Sequence, residues 1–104
     1  MEQDIEMHTN CDSFLLHPNG QLQMVKECWC KLYHVFGQAI QFEETVQENI
    51  VEDIYCVYLK NGEKYQQPMN MVLSKKLGKK ISGSGIMFRK GNDLSLEKVK
   101  SLLN

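Results

Sequence analysis

Rigid and chain-breaking residues are scarce in this sequence: its only prolines are Pro18 and Pro68. That excludes a proline-rich linker or an extended polyproline rod. No apolar run approaches the roughly 20 residues that a membrane-spanning helix needs, so no membrane association is expected. No segment repeats and none is low in complexity, which argues against a solenoid or a disordered tract. The first residues, Met1-Glu2-Gln3-Asp4, lack a basic stretch followed by an apolar one, so no secretory signal is read there. Four cysteines, Cys11, Cys28, Cys30 and Cys56, are too few to be needed as staples in a domain of 104 residues. Reduced thiols in a cytoplasmic protein are the expectation.

Catalytic signatures are missing too. Gly78 and Gly83 have the spacing that opens a Walker loop, but Ser84-Gly85 stands where Lys-Ser or Lys-Thr should follow. The adjacent carboxylates Glu43-Glu44 and Glu52-Asp53 point apart on a helix. No nucleophile elbow or ordered triad accompanies the cysteines. His8, Cys11, His17, Cys28 and Cys30 are donor types that zinc accepts. On a helix, however, Cys28 and Cys30 stand about 200° apart and do not meet at one ion. The sequence predicts a protein that is not an enzyme and needs no cofactor or metal.

Amphipathic pattern is abundant. The expectation is an α+β fold, with an acidic flexible tail over residues 1–12 and one globular domain over 13–104. In Gln21 to Phe36, Leu22, Met24, Val25, Cys28, Trp29, Leu32, Tyr33, Val35 and Phe36 share one half of a helical wheel. That predicts a helix entered at Asn19 and closed by Gly37. Ala39, Phe42, Val46, Ile50 and Ile54 recur at intervals of three and four, predicting a second helix over 38–52. Ile54 to Leu59 is β-branched and aromatic, and Asn61-Gly62 reads as a hairpin turn into a second strand over 64–67. A short basic helix from Met69 to Lys80, a third strand at Ile86–Lys90 and a C-terminal helix capped by Asp93 complete the reading. The predicted architecture is therefore two N-terminal amphipathic helices packed on a small antiparallel sheet of about three strands.

Charge is unevenly distributed. Through Asp53 there are ten acidic and two basic residues, a balance of −8; from Ile54 onward there are ten basic and three acidic, a balance of +7. Such asymmetry points to a charged partner, unless the two halves face each other in the fold or across a homodimer. The segment from Ser74 to Gly91 holds Lys75, Lys76, Lys79, Lys80, Arg89 and Lys90 with no acid among them. Four of these lysines would form a like-charged double ridge on a helix. Ser82 and Ser84, set among glycines, would offer hydroxyl and backbone donors to an anion. The chain's one arginine, Arg89, suits planar oxyanions. These eight residues are the predicted site for a polyanion or an acidic partner. The leading functional expectation is a regulatory module that binds a protein partner, or itself, through a charge-segregated surface. DNA or RNA held through phosphate contacts is the alternative.

Overall fold

The computed structural model describes residues 12–25, 36, 40 and 42–103. Its centre is a five-stranded antiparallel sheet formed by β1 (Ser13–Leu16), β2 (Leu22–Val25), β3 (Thr45–Val51), β4 (Ile54–Leu59) and β5 (Gly85–Arg89). The strand order across the sheet is β2-β1-β5-β4-β3. Two α-helices are described, α1 (Met71–Leu77) and α2 (Leu96–Leu103).

The expected pair of N-terminal helices on a three-stranded sheet is therefore wrong. Where the first helix was to begin, Leu22–Val25 instead pairs with β1, in the register Ser13 to Val25 and Leu16 to Leu22. His17-Pro18-Asn19-Gly20 forms the turn that joins these two strands. Asn19 Oδ1 accepts from the Gln21 N–H at 3.0 Å, and the His17 N–H donates to the Gln21 carbonyl. Residues 26–35 of that predicted helix lie outside the described residues, as does the predicted tail before Asp12.

The second predicted helix is replaced by a 3-10 turn, Phe42–Glu44, and then by β3. The cause lies in the pattern itself. An interval of four residues is one helical turn, but it is also two strand periods. Val46 and Ile50 fall on one face under either reading. Thr45, Val46, Ile50 and Val51 are β-branched, and pairing with β4 settles the competition in favour of a strand. Likewise, Asn61-Gly62 makes no hairpin. Gly62–Tyr65 is a 3-10 turn that ends at Gln66 in a left-handed conformation. Gly62 serves a different purpose: a Cβ there would collide with the Ser82 carbonyl.

Both faces of the sheet's inner strands, β1, β5 and β4, are buried. On one, Leu15, Val57, Leu59, Ile86 and Phe88 pack with Phe36, and Ile40 lies against them. On the other, Phe14, Leu16, Ile54, Cys56, Tyr58 and Met87 pack beneath Leu73 of α1, Ile81, Leu94 and Val99 of α2. Strands β1, β4 and β5 thus read as near-continuous apolar runs, as strands covered on both sides do. Full burial of side chains such as Leu16, Leu73 and Met87 contributes about 1.5–3 kcal/mol each.

Candidate interaction surface

Helix α1 organises the site. Its N-cap is Asn70, whose Oδ1 accepts from the Leu73 N–H at 3.0 Å. The same side chain donates to the Gly83 carbonyl at 3.0 Å and the Leu16 carbonyl at 3.3 Å, with no exposure to solvent. One buried amide thereby ties the helix to the end of β1 and to the loop before β5. Gly85 lets the helix settle, because a Cβ there would run into Leu73 Cδ1 and lie 3.2 Å from Cys56 Sγ. The helix stops at Gly78, left-handed at φ 69°, whose N–H bonds the Ser74 carbonyl. Asn70 was not among the sequence-predicted residues; a capping residue ahead of Met71-Val72-Leu73 was the available signal.

The basic residues do not form one field. Lys75 and Lys76 occupy the last turn of α1, whereas Lys79 and Lys80 lie beyond Gly78, off the helix. The double ridge expected of one helix is thus absent. Lys79 Nζ approaches Glu48 Oε1 of β3 at 3.2 Å, and Lys80 pairs with Glu63. Arg89 Nε donates to Asp53 Oδ1 at 3.2 Å, and Lys90 Nζ lies 4.9 Å from the Tyr55 ring centroid. Lys98 pairs with Glu52 at 3.8 Å. Lys75 and Lys76 have no acidic partner among the described residues.

Arg89 and Lys90 also stand apart in space. Gly85 pairs with Tyr58 and Arg89 with Ile54, so β5 separates its two ends by roughly 13 Å at the usual rise per residue. Ser82 and Ser84 are buried. The loop that carries them is wedged between Gly62 and Pro68, with the Gly83 N–H bonded to the Pro68 carbonyl at 2.8 Å. Those serines are not presented to an external anion. Of the eight predicted residues, only Lys75, Lys79 and Lys80 are brought together in one surface groove; Lys76 lines another, with Val72 and Leu103.

The chemistry-bearing groups near this surface are locked. Tyr58 donates to Glu48 Oε1 at 2.6 Å, and Lys79 Nζ reaches the Tyr58 hydroxyl at 3.4 Å. The bond from Tyr58, followed by Lys79, holds the Glu48 carboxyl below its ordinary value. Burial, then Glu48, pushes the Tyr58 phenol up. The bond to Glu48 raises the Lys79 ammonium. Each shift stabilises the protonation state that the group already has at neutral pH. Burial drives the Cys56 thiol far above its usual range, which leaves it without nucleophilic character. His17, one of the zinc donors considered, faces Gln23 Oε1 at 2.9 Å; Cys28, Cys30, His8 and Cys11 lie outside the described residues.

What the surface does expose is apolar. Met69 and Met71 are 42% and 65% exposed. With Ser74, Lys75, Lys79 and Lys80 they line a shallow groove of about 440 Å³. Met69 continues into a second groove beside His17, Pro18 and Pro68, of about 400 Å³. No helix among the described residues is long and apolar enough to cross a membrane. No protein-family model matches the chain, and neither a curated protein nor a solved structure shows significant similarity to it.

Proposed function

We propose that the protein is a small non-enzymatic interaction module that binds a protein partner through the surface around α1. The observation that carries this reading is the exposure of Met69 and Met71 beside Lys75, a cation with no acidic partner among the described residues. Adjacent exposed apolar side chains edged by charge are typical of binding surfaces, and methionine is enriched where proteins meet. An unpaired lysine at the edge favours encounter with an acidic counterpart. Pairing of Lys79, Lys80 and Arg89 inside the chain speaks against the nucleic-acid alternative, which needs a contiguous track of free cations along a phosphate backbone.

The test is a photoreactive benzophenone side chain placed at Met71 and irradiated in the native host. Protein adducts are expected, and they should diminish when Lys75→Glu and Lys76→Glu are added. Adducts with nucleic acid alone, or none, would overturn the reading. Adducts with a second copy would make the partner the chain itself.

A further inference from the structure

The groove beside α1 has an unequal set of cations, and the inequality defines its occupant. Lys75 has no acidic partner among the described residues. Lys80 pairs with Glu63, but both ends of the pair are more than half exposed. Such pairs are worth little in water and exchange readily. Lys79 is different. Its partner Glu48 is held from behind by the 2.6 Å bond from buried Tyr58, so this ammonium belongs to the fold. The floor between the cations is the flexible thioether surface of Met69 and Met71, which reshapes around an incoming apolar group.

Resting on the reading above, we propose that this groove takes an acidic peptide segment with one large apolar side chain. The apolar group seats on Met69 and Met71, and the flanking carboxylates engage Lys75 and displace Glu63 from Lys80. Glu63 is then an internal competitor that keeps the groove selective. A weakly acidic segment gains nothing by replacing one carboxylate with another, whereas a multiply charged one also gains Lys75. The apolar floor favours a segment with an anchor over a bare polyanion.

Fluorescence anisotropy with the full chain tests this, using a short fluorescein-labelled peptide of aspartates and glutamates around a central leucine. Binding should weaken with salt, and Lys75→Glu should weaken it about 5- to 10-fold. Glu63→Gln should tighten it about 2- to 5-fold, the range an exposed ion pair allows. This second change is diagnostic, because a mere loss of folding cannot strengthen binding. Equal binding of a peptide with serine in place of leucine overturns the proposal, as does unchanged affinity in Glu63→Gln. Preferential binding to oligo-dT or to phosphatidylserine vesicles overturns it too. Protein adducts at Met71 without peptide binding would sink this inference and leave the broader reading standing; absence of both would remove the two together.

Discussion

At the scale of single residues, Asn70 does the most with the fewest atoms. Its amide satisfies a helix N–H and two carbonyls from separate segments, all out of water. Asn70→Ala removes the cap and strands two buried acceptors. Loss of the cap and the exposed desolvation penalty together should cost about 2–4 kcal/mol, read as a lower midpoint in urea unfolding. Asn70→Asp should not rescue the loss. It keeps an acceptor for Leu73, but sets a carboxylate against the Leu16 and Gly83 carbonyls. Helix α2 shows the same economy on the surface. Ser95 Oγ accepts from the Lys98 N–H at 3.1 Å and fills the capping role expected of Asp93. Asp93 instead accepts from the Asp12 N–H at 2.8 Å and pins the start of β1.

At the scale of elements, the approach of α1 to the sheet depends on Gly85. Gly85→Ala must displace the buried Leu73 side chain that seats α1, so about 1–3 kcal/mol of destabilisation is expected, measurable as a drop in Tm. The variant should also lose affinity for the peptide probe, because α1 carries the groove. Elements with an unambiguous local pattern were legible in the sequence. Ile54–Leu59, the strand around Ile86–Phe88 and a C-terminal helix stand where the residues indicated, and the basic helix expected over Met69–Lys80 is present but shorter, Met71–Leu77. β3 was not legible, because Glu48 occupies an inward position and breaks the alternation that marks a strand. Its presence there makes sense only with Tyr58 and Lys79, which are ten and thirty-one residues away. β2 was hidden for a related reason: a four-residue edge strand carries too short a signal to compete with sixteen residues of helical periodicity.

At the scale of the whole molecule, the acidic and basic halves of the chain partly neutralise one another. Glu48, Glu52 and Asp53 from the acidic half meet Lys79, Lys98 and Arg89 from the basic half. Composition revealed the asymmetry, but only the topology, which lays β3 beside β4 and brings Lys79 over its edge, decides which charges remain free. One pH consequence follows. Glu48 has a folded-state pKa below its ordinary 4.5, so its contribution is present above that value and is lost as pH falls through the lowered one. The wild-type protein should lose stability on acidification below about pH 4.5. Glu48→Gln should flatten that part of the curve while lowering stability at neutral pH. Urea midpoints measured across the acid range would check both.

The strand order has a bearing on how the chain becomes a sheet at all. β1 with β2, and β3 with β4, are neighbours in sequence and can pair locally, yet the two hairpins are not hydrogen-bonded to each other in the sheet. Only β5, which starts about 25 residues beyond the end of β4, bridges them. The two ribbons therefore keep unjoined edges until β5 is in place between them, and closure of the sheet is a long-range event that slows folding.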